Sequence, residues 1–219
     1  MSFLNIQTKM KRLITILLTV LVATASVWAQ KRTTMPTVYK GYKPSVVTFA
    51  DGHSSRQSLT NVFLKNSSLL FLRGEYAMEA DMTNIVRVDF DDRSYVAINQ
   101  KLGYVVDSVA SNVLYCIELF DKDAYERNLK NNVNISSLDL GEQISMTTVD
   151  LNNDEDYKFP VFRHFYYLFN GEFVKVHERD LSKKLTKEGR TMMKRIIALP
   201  DFSWQNEKSL MELLKAISN

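Results

Sequence analysis

The sequence of 219 residues holds a single cysteine, Cys116, so it has neither an intramolecular disulfide framework nor a multi-cysteine zinc site. Three histidines confine imidazole chemistry to few places, and seven glycines with four prolines are too few for a collagen-like or low-complexity chain. Phosphate-cradling glycine motifs and the G-x-S-x-G of serine hydrolases are both absent. No apolar run reaches the ~20 residues of a membrane span. What is present is ordinary: 45% hydrophobic, 24% charged and 11% aromatic residues, in a chain long enough to bury a core without covalent staples.

The most apolar stretch reads as an address. Lys9, Lys11 and Arg12 precede the 13 residues from Leu13 to Ala25, and Val27-Trp28-Ala29 supplies residues suited to cleavage. This predicts a signal peptide over 1–29, with Gln30 as the new N-terminus and the periplasm or extracellular space as destination. A lipoprotein would need a cysteine directly after the apolar run, and Cys116 lies far downstream. The mature chain is therefore expected to carry neither that anchor nor a transmembrane span.

Export also changes the charge. The whole chain has 28 basic and 25 acidic residues, a formal +3, but the signal holds three of the basic and none of the acidic ones. The mature chain is balanced, with 16 basic and 19 acidic residues over 30–177 and nine and six over 178–219. Counterion release needs a basic footprint, so nucleic acid is not an expected partner.

Residues 30–43 are polar and aperiodic around Pro36, a flexible lead-in or an irregular first strand. From 44 to 177, short alternating runs are divided by turn residues: Asp51-Gly52, Gly74, Asp91-Asp92, Ala110-Ser111-Asn112 and Asn170-Gly171. Within 113–120, Val113, Tyr115, Ile117 and Leu119 share one face and Leu114, Cys116, Glu118 and Phe120 the other, which predicts a central strand. Residues 121–132 interrupt the rhythm with a short helix capped by Asp121 or Asp123, and 143–149 read as a further strand. Beyond 178 the period becomes about 3.6. Met192, Met193, Ile196, Ile197 and Leu199 form one stripe; Leu210, Met211, Leu213, Leu214 and Ile217 form another. Asn206 or Ser203 caps the second helix, and 180–185 add a turn. The expected fold class is α+β: an antiparallel β-sandwich or rolled sheet over 44–177, with two amphipathic C-terminal helices over 178–219 docked on it as part of a single domain, 44–219.

His164 and His177 are the candidate metal ligands. If Asn170-Gly171 is a two-residue loop, 169 faces 172 and His164 faces His177, with opposed Cβ atoms ~5 Å apart. That is near enough for two imidazoles to hold one divalent metal; a plain cross-strand aromatic pair is the other reading. Sequence fixes no third ligand, and Lys175 shares the face. No cofactor beyond such a metal is expected, and no catalytic residue is indicated. Residues 150–156 begin like a calcium loop, but Glu155 and Val161 stand where Gly and Glu are required, so they read as a solvated acidic loop. Cys116, among apolar neighbours, reads as a buried inert thiol. Lys183, Lys184, Lys187, Arg190, Lys194 and Arg195 read as the solvated side of a helix, or as a contact for anionic envelope material. The aromatic stretch from Tyr157 to Phe173 sends half its rings inward and leaves the others for stacking on sugars or packing under helices.

The Trp28-Ala29-Gln30 signal end, the Asp51-Gly52 turn before Asn61 to Asn66 and Leu69 to Phe71, and the closing run from Tyr166 to Val176 before two helices resemble exported Bacteroidota-type proteins of an uncharacterised family. The resemblance implies export and a β-rich body with C-terminal helices; it brings no reaction and no site. The function expected from the sequence is a non-catalytic envelope or secreted module that binds an envelope protein or a glycan. The alternative is a hydrolase or metal-dependent enzyme built around His164 and His177.

Overall fold

Alternation and turn chemistry produce a sheet of ten antiparallel strands. The computed structural model describes residues 35–132 and 158–218; the signal segment, the strand expected at 143–149 and the acidic loop lie outside the described residues. The first four strands are β1 (Lys43–Phe49), β2 (Ser54–Phe63), β3 (Ser68–Arg73) and β4 (Tyr76–Glu79). A 3-10 turn at Met82–Asn84 leads to β5 (Ile85–Asp89), β6 (Ser94–Ile98), β7 (Lys101–Val109) and β8 (Asn112–Phe120). Helix α1 (Lys122–Asn132) follows, Asp121 accepting a 2.8 Å hydrogen bond from the Ala124 N–H. The hairpin β9 (Val161–Phe169) and β10 (Glu172–Lys175) then precedes α2 (Glu178–Lys184), α3 (Lys187–Ile197) and α4 (Glu207–Ile217), the last capped by Asn206. Asn170 and Gly171 both have positive φ, 52° and 83°, as a two-residue hairpin turn demands.

The strands lie in the order β10-β9-β8-β7-β6-β5-β1-β2-β3-β4. Two meanders, β1 to β4 and β5 to β8, thus join through the β1–β5 pair, and the last hairpin adds to β8. The sheet is continuous and unclosed. At one corner the turn between β2 and β3 meets β7 and β8: the Leu102 N–H donates to the Ser67 carbonyl at 2.7 Å, and the Phe120 N–H donates to the Leu64 carbonyl at 2.8 Å. The Ser67 hydroxyl adds a 2.7 Å bond to the Leu102 carbonyl.

Each face of the β8–β9 region has its own apolar cluster. Leu114, Cys116, Phe165, Tyr167 and Phe169 belong to the large one, which also contains Leu181, Met193, Leu210, Leu213 and Leu214 from the helices. The Tyr167 hydroxyl donates to the Leu210 carbonyl at 2.6 Å, and the Asn112 side-chain amide donates to the Ser218 hydroxyl at 2.9 Å. Ile98, Tyr115 and Ile117 form the smaller cluster on the opposite face, flanked by half-buried Val113, Leu119, Tyr166 and Leu168. Strand β8 therefore has the two apolar faces that its alternation predicts.

The described part of the lead-in is held to β2, where Thr37 bridges to Phe63. Residues 35–42 are anchored rather than flexible, because Asn61 acts on them as a surrogate backbone. Its amide donates to the carbonyls of Tyr39 at 2.8 Å and Gly41 at 3.1 Å, and its oxygen accepts the Tyr39 N–H at 3.1 Å. Tyr42 and Thr37 are buried as a result.

Candidate functional site

Two depressions of the described surface differ in their electrostatics. The larger, about 690 Å³, opens where a bulge at Val106 in β7 turns that strand away from the start of β6. Bulges re-aim side chains in this way. Arg87, Arg93, Arg163, Tyr104 and Glu207 line it, but each guanidinium already has a carboxylate. Arg87 lies 2.7 Å from Asp89, Arg93 3.8 Å from Glu118, and Arg163 3.6 Å from both Glu118 and Glu207. The Arg87 hydrogen bond holds the Asp89 carboxyl below its ordinary range despite partial burial. Arg93 also sits 4.3 Å over the Tyr104 ring. Beside this network the buried Tyr95 hydroxyl faces Arg93 and Tyr39, without a hydrogen bond of normal geometry to either. A cleft neutralised from within is a structural ion network; a charged ligand would have to break existing pairs to enter it.

The smaller depression, about 170 Å³, lies over the smaller apolar cluster. Its floor is Ile117 and Leu119 of β8; its walls are His164 and Tyr166 of β9, Lys101 of β7 and Lys175 of β10. Register brings them together, since Ile117 pairs with His164 and Tyr166 pairs with Lys175. The site needs a small residue beside Ile117. A Cβ on Gly103 would stand 3.0 Å from the Ile98 Cδ1 and 3.2 Å from the Ile117 Cγ1. Burial first, then the charges of Lys175 and Lys101, push the His164 pKa below its ordinary value. Around the depression Phe162 is 53% and Phe173 39% exposed, the latter edge-on to Tyr115 at 5.6 Å.

His177 is used elsewhere. The β9–β10 ladder ends at Lys175, because His177 leaves it to cap α2, its Nδ1 accepting the Arg179 N–H at 3.3 Å. Its ring lies 6.3 Å from that of Trp204, which packs against the large cluster, while His164 sits over the small one. His177 is thus engaged at the start of α2, and His164 lines the smaller depression. Among the described residues no group of three or more His, Cys, Asp or Glu side chains is placed to share a metal ion. No family model, curated protein or solved structure matches the chain.

The other candidates are placed as follows. Among the basic residues near the helices, Lys183 pairs with Asp180 at 3.3 Å and Lys184 with Glu172, while Lys187, Arg190, Lys194 and Arg195 are exposed. Among the described residues no helix is long and apolar enough to cross a membrane. Cys116 is fully buried, and burial pushes its thiol up to about 12. At pH 8 the thiolate fraction is then about one part in ten thousand, so the native thiol is expected to resist a disulfide reagent and to react stoichiometrically once urea unfolds the chain. Rapid labelling of the native protein, followed by absorbance, would contradict this burial.

Proposed function

We propose that this chain is an exported binding module that holds a saccharide against the outer face of β7 to β10. The observation that carries the reading is the combination on that face of a depression with exposed rings. Phe162 and Phe173 expose large surfaces, and Tyr166 stands half-buried at the depression's wall. Stacking of sugar C–H faces on such rings buries apolar area while leaving hydroxyls solvated. A volume of about 170 Å³ is below the ~300 Å³ of ordinary small-molecule pockets, so the depression seats one chemical group while the rest of the ligand lies over the surface. The same reading takes the sheet as rolled, with the C-terminal helices docked on its inner face, supported by the Tyr167–Leu210 and Asn112–Ser218 hydrogen bonds. Export rests on the sequence pattern of residues 1–29.

The test is calorimetric titration of the purified protein with neutral and acidic envelope oligosaccharides. Saturable binding is expected, weakened about tenfold in Phe173→Ala, a loss of ~1.4 kcal/mol. Saccharide binding that is unchanged in both Phe173→Ala and Phe162→Ala would remove this face from the proposal. Absence of binding to every saccharide would remove the ligand class.

A further inference from the structure

We propose that His164, Lys101 and Lys175 form a seat for an oxyanion: the carboxylate, sulfate or phosphate ester of an acidic saccharide held on the outer sheet face. This deepens the reading above by naming the group that enters the depression, and it rests on that reading only for the saccharide to which the oxyanion is attached.

The fold leaves positive charge unbalanced at the smaller depression. In the larger cleft every arginine has a carboxylate partner within 4 Å. At the depression two ammonium groups converge on an imidazole, and among the described residues no carboxylate lines the walls and neither Lys101 nor Lys175 makes an ion pair. Like charges brought together on one sheet face oppose folding, so an anion that joins them relieves a repulsion as well as adding attraction. A divalent cation would meet the same two charges as a barrier.

The lysines come from β7 and β10, with β8 and β9 between them and His164 on β9, and so approach the depression from opposite walls. Lysine is a compact point charge with three rotatable donors, suited to a tetrahedral or planar oxyanion without a fixed angle. The apolar floor of Ile117 and Leu119 keeps water from one side, which strengthens these charges relative to open solvent. Tyr166 supplies a further hydroxyl at the wall.

The groups facing His164 are Lys101, Lys175 and Tyr166; Asp180 of α2 lies near Tyr166 and is paired with Lys183. Without a ligand the neutral imidazole is favoured, since burial and both lysines oppose a third positive charge. A bound oxyanion opposes that preference, so binding takes up a proton and affinity rises as the pH is lowered toward the depressed His164 value.

The experiment follows the His164 ring by NMR as inorganic sulfate is added to the purified protein, with chloride at matched ionic strength as reference and inorganic phosphate and glucuronate as further arms. Sulfate is expected to raise the His164 pKa in a saturable way that chloride does not reproduce, and the three anion arms rank which oxyanion the seat prefers. In the Lys101→Gln, Lys175→Gln double variant, the sulfate dissociation constant is expected to rise about tenfold, while Lys183→Gln leaves it unchanged. Both lysines are exposed, so the variants retain the fold, which circular dichroism checks. A His164 resonance that ignores sulfate, tracks ionic strength alone, or responds equally in the double variant would overturn the seat. Because the sulfate arm uses no sugar, the seat can stand while the saccharide reading fails, and the reverse.

Discussion

Replacing Leu213 by alanine is expected to lower the unfolding free energy by about 2–5 kcal/mol, the range for truncating a fully buried leucine. Leu213 is wholly inaccessible in α4 and belongs to the cluster that includes Leu114 and Tyr167 of the sheet. Its loss removes dispersion contacts on the helix and sheet sides together, and the strands beneath cannot collapse into the cavity without disturbing the ladder. Glu212, exposed on the same helix, provides a control whose substitution should change stability by less than ~0.5 kcal/mol. Urea unfolding followed by sheet and aromatic signals is expected to show one shifted transition in Leu213→Ala. A variant that melts in two steps, with the sheet transition unmoved, would mean that α4 does not share the sheet's cooperative unit.

Asn61→Ala is the second large effect. Asn61 is fully buried and satisfies four backbone groups: the N–H of Tyr39 and of Val62, and the carbonyls of Tyr39 and Gly41. Alanine fills the space at the Cβ but answers none of them, and each buried group left unpaired costs about 1–3 kcal/mol. Tyr39 is half-buried, so water recovers part of the loss there; a net decrease of about 2–4 kcal/mol is expected. Hydrogen exchange locates the effect. The Tyr39 amide should lose its protection, while the Leu114 amide in the centre of the sheet should follow only the global change. Unchanged exchange at Tyr39 would show that segment 35–42 is held by something other than Asn61.

The sequence was readable wherever a local rule acts alone. Asn170-Gly171 specified a hairpin because few residues tolerate positive φ at both positions, and β8 showed two apolar faces because the strand period is two. Asn206 and Asp121 announced helix starts through side chains that accept backbone donors. Other features depended on partners distant in the chain. The Tyr76–Glu79 strand has no apolar period and is exposed throughout; it exists because Gly74 turns the chain back onto β3. Asn61 looks like any strand asparagine until Tyr39 and Gly41 are placed beside it.

The candidate site divides along the same line. Lys175 and Tyr166 were already on the His164 face by alternation, whereas Lys101 arrives only through β8, which pairs with β7 on one side and β9 on the other. A signal for it lay in counting the β7–β8 register, but the β8–β9 pairing spans residues that carry no local cue. On His177 two rules act at once: the hairpin register carries it toward His164, and its ring caps α2.

The corner where Ser67 meets Leu102 has a kinetic meaning. Each four-strand meander can assemble from neighbouring hairpins, at small cost in chain entropy. The corner bonds instead join residues 35 positions apart, Ser67 to Leu102, and 56 apart, Leu64 to Phe120. Closing such loops becomes favourable only when the strands between them are already ordered. The corner is therefore a late event in folding and an early one in unfolding, so weakening it by Ser67→Ala should hasten the escape from the native state while leaving the rate of arrival nearly untouched.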